Sequence, residues 1–386
     1  MKRLLAFVLV LCLLCGCSPV RLTQPPTPTP KPTPTPAEKL EWLHGFYAVS
    51  AYSQIGLTQQ LDAVSLGWAR MCFDADKGPW INTTSENGNG WVTPQGSETV
   101  LDTLRENGAD YPLSVFTSQQ NKTILPDGTE SNVLVTVISE EYRAAAVDAL
   151  VAAGSGYSGL TIDFEGLISE DYKDDFTAFM TCLRDKLPDD QTLYVAVPPD
   201  TWYHGYDYRA LGEICDKVIL MAHDYQWQAV PAGAVGTEDT YTPLTPLPQV
   251  KKALRRITDP DTGVADVSKV ALALSFATVG VEVEEDGDIL KGDRLYTPGM
   301  GTLAKRLAQD DAEVGWDEDS ASSYVFYHDE EGRRYKVWYE SPESVEAKIE
   351  AALECGVSGL SLWRLGAVPD FEHYDVWSVI LKKAQR

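Results

Sequence analysis

The residues best suited to chemistry lie in a short segment that reads Gly-Leu-Thr-Ile-Asp-Phe-Glu, residues 159–165. Thr161, Asp163 and Glu165 are spaced two residues apart, so on a β-strand their side chains point to one face. Two carboxyl groups this close raise the pKa of one of them, because both cannot easily be ionised. A carboxyl group with a raised pKa suits general acid catalysis near neutral pH. We therefore predict that Asp163 and Glu165 are catalytic, against the alternative of a merely solvated strand end.

Aromatic and polar side chains stand at the ends of other apolar runs. The run at 217–225 ends in Met221, His223, Asp224 and Tyr225, and the run at 358–365 contains Trp363. Aromatic residues that follow strand-like runs are candidates to line a glycan cleft, since sugar rings stack on aromatic faces; they are Tyr47, Trp68, Trp202, Tyr203 and Trp227. Any of them can equally be a core residue.

Eight apolar runs could position these residues. They cover 42–49, 61–69, 111–117, 159–165, 192–198, 217–225, 269–276 and 358–365. Several lack strict alternation, which is typical of parallel strands that are covered on both faces. In the run at 159–165, Ile162 and Phe164 are expected to face outer helices.

Helical patterns lie between these runs. One covers 139–153 and starts at Ser139; a second covers 170–187; a third covers 341–355, with Ser341 as N-cap and Pro342 in its first turn. Strands that alternate with helices predict a (β/α)8 TIM barrel. A doubly wound open sheet is the alternative, but no Gly-x-Gly-x-x-Gly motif follows a strand.

The stretch at 277–340 is too long for a simple connection between a strand and a helix. It contains two strand-like segments, 323–327 and 334–339, joined by His-Asp-Glu-Glu-Gly, which predicts a β-hairpin. We predict a small α+β insertion between strands 7 and 8. An insertion there lies beside the C-terminal face of a barrel, where barrel enzymes carry their active sites.

The sequence resembles glycoside hydrolase family 18, whose fourth strand ends in Asp-x-x-Asp-x-Asp-x-Glu. Asp163 and Glu165 match the last two acidic positions, whereas Ser158 and Thr161 occupy the first two. Met221 to Tyr225 resembles the family's Met-x-Tyr-Asp motif on the sixth strand, with His223 in place of Tyr. Residues 359–366 resemble the ending of the eighth strand, and 366–377 resemble the tail of spore cortex-lytic glycosidases.

This resemblance implies a substrate-assisted, retaining hydrolysis of β-1,4 bonds after N-acetylglucosamine. Glu165 would be the general acid, and Asp163 would orient the 2-acetamido group that attacks C1. Asp224, Tyr225, His223 and Met221 would contact the sugar, Trp363 would be the floor of the site, and Tyr47 would line the cleft. No metal or cofactor is implied.

The substrate expected from the resemblance is an N-acetylglucosamine-containing glycan, and peptidoglycan is favoured. A chitinase or endo-β-N-acetylglucosaminidase that acts on chitin or N-glycans is the alternative. The third-strand segment Leu-Ser-Val-Phe-Thr lacks a Ser-x-Gly-Gly type motif, which argues against an ordinary chitinase. A non-catalytic glycan-binding barrel is a third possibility, although lectin-like relatives usually lose the Glu that is retained here as Glu165.

The N-terminus has the features of an exported lipoprotein. A basic Met-Lys-Arg is followed by the apolar run Leu4–Leu14, which is too short to span a bilayer. The run ends in Leu-Cys-Gly-Cys, which resembles a lipobox, so we expect lipid on Cys17; an ordinary cleaved signal is the alternative. We assign 1–16 to the signal peptide, 17–40 to a Pro/Thr-rich linker and 41–386 to the barrel, anchored at the bacterial cell surface.

Composition excludes other classes of function. The 386 residues include 57 Asp and Glu against 32 Lys and Arg, a net charge of −25, which argues against nucleic-acid binding. No Cys-x-x-Cys motif follows the signal, so we expect no zinc site. We interpret Cys72, Cys182, Cys215 and Cys355 as free thiols, although export leaves one disulfide open. We expect a monomer.

Overall fold

The computed structural model describes residues 34–225 and 243–386, apart from residues 87 and 89. The predicted signal peptide, Cys17 and most of the predicted linker lie outside the described residues, as does Trp227. Within the described ranges, none of the helices combines the length and apolar character needed to cross a membrane.

Eight parallel strands close into a barrel: β1 Trp42–Tyr47, β2 Ala63–Asp74, β3 Leu113–Ser118, β4 Gly159–Glu165, β5 Thr192–Val197, β6 Lys217–Leu220, β7 Val270–Ser275 and β8 Gly359–Trp363. Each strand pairs with the next along the chain, and β1 pairs with both β8 and β2. Each strand overlaps one of the eight predicted runs. The TIM-barrel prediction is therefore confirmed, and the open-sheet alternative is wrong.

The described α-helices are α1 Ser97–Asn107, α2 Val133–Ile138, α3 Arg143–Ala153, α4 Lys173–Lys186, α5 Tyr208–Ile214, α6 Leu247–Ile257, α7 Met300–Leu307, α8 Pro342–Glu354 and α9 Val376–Ala384. Two follow the predicted patterns closely. The Ser341 side chain caps α8 by accepting a hydrogen bond from the backbone N–H of Ser344. The buried face of α4 contains Phe176, Phe179, Met180 and Leu183.

The helix predicted over 139–153 starts later than its sequence pattern indicated. Helix α3 begins at Arg143, not at Ser139. Ser139 instead ends α2, where its backbone is extended and its hydroxyl donates to the Thr136 carbonyl at 2.7 Å. A serine can cap either end of a helix through local hydrogen bonds, so a serine ahead of a helical pattern does not by itself locate the start of the helix.

The barrel has two separate apolar layers. Phe46, Ala196 and Ala273 belong to a cluster in the lumen. Leu160, Ile162 and Phe164 of β4 belong to the larger cluster between the strands and the helices, and the Phe164 ring lies 5.5 Å from that of Phe179 on α4. The expected outward direction of Ile162 and Phe164 is confirmed, so Thr161, Asp163 and Glu165 face the interior.

The insertion after β7 contains a five-stranded antiparallel sheet in the order 289–296, 279–283, 334–339, 322–328, 313–317. The predicted hairpin is present, with Ser323 opposite Tyr339 and His328 opposite Arg334. Helix α7 lies between two of these strands in the chain. Three shorter pairings complete the described sheets: 78–82 with β2, 122–124 with 130–132, and 370–371 with 374–375.

The N-terminal end of the barrel unit differs from the predicted boundary. The Ala37 N–H donates to the Leu353 carbonyl at 2.8 Å, and the Leu40 N–H donates to the Lys383 carbonyl at 3.0 Å. Leu40 is also 1% exposed. Residues 37–40 therefore belong to the packed unit and not to the linker.

The four cysteines of the described part, Cys72, Cys182, Cys215 and Cys355, are free thiols.

Candidate active site

A cleft of about 760 Å³ opens at the carboxyl ends of the barrel strands. Its lining brings together four of the predicted substrate-contacting residues and one predicted catalytic residue: Glu165, Met221, His223, Asp224 and Tyr225. The segment after β5 adds Trp202, which is 49% exposed, and Tyr203. An acidic and aromatic cleft in this position is suited to a neutral, hydroxyl-rich ligand such as a sugar chain.

Asp163 faces the barrel interior two residues before Glu165 on β4 and is not itself part of the cleft lining. Its residue exposure is 2%, and among the described residues its Oδ1 has no hydrogen-bond partner. Burial, with a smaller contribution from the Glu165 carboxyl, raises the pKa of Asp163 well above its usual range. A buried carboxyl oxygen without a protein partner is costly, which is typical of an atom that binds a ligand.

Glu165 ends the same strand and reaches the cleft surface. Burial raises the pKa of Glu165; His223 opposes this shift and the Asp224 carboxylate adds to it. A raised pKa keeps a larger fraction of the carboxyl group protonated near neutral pH. The position and the protonation state of Glu165 therefore suit proton donation to a bound ligand.

His223 and Asp224 form a pair opposite these carboxyl groups. The Nδ1 atom of His223 lies 2.8 Å from Oδ2 of Asp224, and Asp224 adopts a left-handed backbone conformation with φ of 58°. Although partial desolvation acts to raise it, the pKa of Asp224 is lowered, because His223 stabilises the carboxylate through this hydrogen bond and through its charge. Asp224 is thus held as an anion beside the cleft.

A hydrogen-bonded chain crosses the lumen below the carboxyl groups, at the position where the resemblance expects a further Asp. The Thr161 hydroxyl lies 2.6 Å from the Ser65 hydroxyl, which lies 2.7 Å from Nε2 of His44. Nδ1 of His44 lies 2.7 Å from the Ser361 hydroxyl. Burial lowers the pKa of His44 to about 3, so these four hydrogen-bonded side chains carry no charge near neutral pH. Thr161 therefore supplies no negative charge to Asp163.

His44, Ser65 and Ser361 were not identified from the sequence as parts of the site. The sequence does contain a feature that could have indicated them, because each is a polar residue whose neighbours in its barrel strand are apolar or glycine. Such residues are rarely buried without a partner. Their partners lie on different strands, however, so the chain could not be assembled before the register of the barrel was known.

Trp363 lines a neighbouring cavity of about 420 Å³, and Asp224 borders both this cavity and the cleft. The Trp363 ring packs edge-on against Phe46 in the lumen, with 5.2 Å between the ring centroids. A third groove, of about 570 Å³, shares Trp202 and Tyr225 with the cleft and is lined on its other side by Trp316, Tyr324 and Trp338 of the insertion. The insertion aromatics were not predicted as binding residues.

Tyr47 does not line the cleft, so the prediction that it contacts the substrate is wrong. The side chain is 1% exposed and packs against Trp68, with 6.3 Å between ring centroids, in the layer between strands and helices. Phe46 faces the lumen, so its neighbour Tyr47 must face the opposite side of β1. Trp68 is excluded from the cleft on the same grounds.

Comparison with known proteins gives a family match over the part of the chain that contains β4 to β8. The sequence model of Glycosyl hydrolases family 18 matches residues 134–367, which extend from α2 to beyond β8 and include Glu165 and residues 221–225 of the cleft. The cortical fragment-lytic enzyme of Bacillus anthracis is 23% identical over 278 residues, 68% of this chain and 58% of that protein. The cortical fragment-lytic enzyme of Bacillus subtilis (strain 168) is 26% identical over 276 residues, which are 65% of this chain and 54% of that protein. The chain thus spans little more than half the length of these relatives.

Solved structures show the same fold. The spore cortex-lytic enzyme SleL of Bacillus cereus aligns with a TM-score of 0.67 at 14% identity, covering 92% of this chain and 75% of that one. A chitinase from Chromobacterium violaceum ATCC 12472 aligns with a TM-score of 0.68 at 18% identity, and the alignment covers 90% of this chain and 99% of the chitinase chain. At these identities the likeness establishes the barrel architecture alone.

Proposed function

Because the chain belongs to glycoside hydrolase family 18, we propose that it is a glycosidase that cleaves β-1,4 bonds after N-acetylglucosamine in peptidoglycan. The observation that carries this proposal is the pair of carboxyl groups on β4: Asp163 is buried in the barrel interior, and Glu165 lines the cleft with a raised pKa. The names of the relatives, cortical fragment-lytic enzymes, favour peptidoglycan as the glycan.

The proposed reaction has two steps. Glu165 gives its proton to the glycosidic oxygen while the carbonyl oxygen of the 2-acetamido group bonds to C1 and the C1–O bond to the leaving sugar breaks. Glu165, now a carboxylate, then takes a proton from water as the water oxygen attacks C1 and opens the oxazolinium ring. The configuration at C1 is retained, because it is inverted twice.

Asp163 has a separate role in this scheme. The oxazolinium intermediate is positively charged, and an anion placed beside it stabilises the transition state that leads to it. Burial disfavours the Asp163 carboxylate, as its raised pKa indicates. A positive charge that forms next to Asp163 offsets that cost only during the reaction, which is the condition for a rate increase. Asp224 would contact the acetamido group from the other side of the site.

Digestion of purified peptidoglycan, followed by borohydride reduction and mass analysis, tests the proposal. We expect fragments that end in reduced N-acetylglucosamine. Fragments that end in reduced muramic acid would mean that the enzyme cleaves after the other sugar. Cleavage of chitin oligomers with no action on peptidoglycan would favour the chitinase alternative. Binding of either glycan without any cleavage would favour the non-catalytic barrel.

We further propose that the protein is exported and anchored to the outer face of the membrane through lipid on Cys17. The support is the lipobox-like Leu-Cys-Gly-Cys and the following Pro/Thr-rich segment, which favours an extended spacer. Metabolic labelling with a fatty-acid analogue should mark the wild-type protein, whereas Cys17→Ala should carry no label. Cys72→Ala, which changes a barrel thiol, is the matched control and should stay labelled. Equal labelling of the wild type and Cys17→Ala would contradict the anchor.

A further inference from the structure

The carboxyl end of β4 is supported differently on its two sides. Toward β3, the parallel pairing continues to the last residue of the strand, with Glu165 opposite Ser118. Toward β5, the pairing ends at Ile162, which lies opposite Val195. Residues 163–165, which include both proposed catalytic carboxyl groups, therefore extend beyond the part of β4 that pairs with β5. The backbone groups on that side need other hydrogen-bond partners if they are buried.

The side chain of Tyr206, on the segment after β5, supplies these hydrogen bonds. Its hydroxyl donates to the carbonyl oxygen of Phe164 at 2.7 Å and accepts from the backbone N–H of Leu167 at 3.4 Å. Phe164 immediately precedes Glu165, and Leu167 follows it by two residues. All three hydrogen-bonded residues are buried. One phenol oxygen thus joins the backbone on both sides of the proposed general acid.

The position of Tyr206 is itself fixed by its neighbours. Its ring packs edge-on against Phe176 of α4, with 5.3 Å between the ring centroids. The preceding residue, Gly205, donates its N–H to the Leu167 carbonyl at 3.0 Å. A Cβ atom added at Gly205 would lie 2.6 Å from the Cβ of Leu167, so the two segments can approach this closely only with glycine there. Burial raises the pKa of Tyr206 well above its usual range, so its hydroxyl stays protonated and remains a donor.

We propose that Tyr206 is a positioning residue for Glu165, because it fixes the backbone from which the Glu165 side chain reaches the glycosidic oxygen. This inference rests on the proposed glycosidase function and gives a role in it to a residue that is not among the described residues lining the cleft. A general acid must lie within hydrogen-bond reach of the leaving oxygen, so a small shift of its backbone slows proton transfer. Asp163 directly follows Ile162, the last residue of β4 paired with β5, and depends less on this support.

The test compares Tyr206→Phe with the wild type on two substrates that differ in their need for an acid. A soluble peptidoglycan oligosaccharide has a sugar leaving group that must be protonated, whereas the phenolate of an aryl β-glycoside of di-N-acetylchitobiose departs without a proton. On the oligosaccharide, kcat/KM should fall by about 10–100-fold, as expected for a displaced catalytic group. On the aryl glycoside the loss should be much smaller. The affinity for di-N-acetylchitobiose, measured by calorimetry, should not change.

Two further variants separate positioning from a loss of stability. Tyr208→Phe is the matched control, because the buried Tyr208 hydroxyl also donates to a backbone carbonyl, that of Pro198 after β5, at 2.6 Å. Both Tyr→Phe changes leave a buried carbonyl without its donor, so both should lower Tm to a similar extent. Tyr208→Phe, however, should change kcat/KM by the same factor on the two substrates. Gly205→Ala keeps the Tyr206 hydroxyl but forces the two segments apart, so it should reproduce the substrate dependence of Tyr206→Phe.

The outcomes distinguish this inference from the proposed function. Wild-type kcat/KM of Tyr206→Phe on both substrates, or an equal loss on both, would overturn the positioning role. If Tyr206→Phe does not fold, the same comparison with Gly205→Ala decides, and failure of both variants to fold would show that the contact serves stability alone. If the wild type itself hydrolyses neither substrate, the proposed glycosidase function fails, and the positioning role fails with it.

Discussion

Glu165→Gln is expected to lower the rate of glycan hydrolysis by about 10²–10⁴-fold, the usual contribution of a positioned general acid. The amide has nearly the same shape but no proton to give, so the leaving sugar would depart as an unprotonated alkoxide. Glu165 lines the cleft, and its raised pKa reflects burial rather than a structural ion pair. The variant should therefore fold normally, and the loss should appear in kcat.

A matched control lies on the same connection between β4 and α4. Glu170 is exposed, forms a weak ion pair with Lys173 at 3.6 Å and does not line the cleft, so Glu170→Gln should retain wild-type activity. A second control is the leaving group: Glu165→Gln should lose much less activity on an aryl glycoside than on the natural glycan. Near-native activity of Glu165→Gln on an unactivated glycan would remove Glu165 from the role of acid.

A glycan without N-acetyl groups is expected to bind but not to be hydrolysed. In the proposed reaction the nucleophile is the acetamido oxygen of the substrate, and a nucleophile held in place has an effective molarity on the order of 10⁵–10⁸ M. The protein offers no replacement in the usual position, because Thr161 and Ser158 stand where the family pattern has acidic residues. Removal of the acetyl group should therefore abolish measurable cleavage.

The experiment compares one chitin oligomer before de-N-acetylation, after it, and after chemical re-N-acetylation. We expect cleavage only of the first and third samples, with binding of all three measured separately by calorimetry. A thiazoline mimic of the cyclic intermediate should inhibit. A covalent glycosyl ester trapped on Asp163, Glu165 or Asp224 would show instead that the enzyme supplies the nucleophile, and the glycosidase function would stand with a different mechanism.

Asp163→Asn tests the formation of the oxazolinium intermediate by a change in the protein instead of in the substrate. The rate should fall by roughly 10²–10³-fold, because the oxazolinium loses its anionic partner. Stability should not fall, since Oδ1 of Asp163 has no partner among the described residues. The pKa of Asp163 is raised in the folded state, so the wild type loses stability as pH rises above the ordinary Asp range and the variant does not. Thermal unfolding against pH, with the exposed α4 variant Asp174→Asn as control, measures the difference.

Several features of the fold and site were accessible from local pattern alone. Residues two apart on a strand share a face, so the common direction of Thr161, Asp163 and Glu165 followed from their spacing. Capping chemistry located the start of α8 at Ser341. It failed at Ser139, because this serine ends α2 and does not cap α3. Both results depend on atoms within a few residues of each other along the chain.

The wrong assignment of Tyr47 has a different cause. Strand β1 is buried on both faces, since one face packs in the lumen and the other against the outer layer, so its pattern has no exposed side that marks the cleft. Only the closed barrel decides that Trp42, His44 and Phe46 face inward and that Leu43 and Tyr47 face outward.

The amino-acid sequence by itself determined the order of the eight barrel strands, the pair of carboxyl groups on β4 and the motifs at the ends of β6 and β8. The tertiary structure decided which distant groups meet. The lumen chain joins residues up to 317 positions apart, from His44 to Ser361, and the groove beside the cleft joins Trp202 to Trp316 of the insertion. It also decided that Asp163 Oδ1 and His223 Nε2 are buried without a protein partner. Spacing along a strand fixes direction, but contact and burial depend on the register with which the barrel closes.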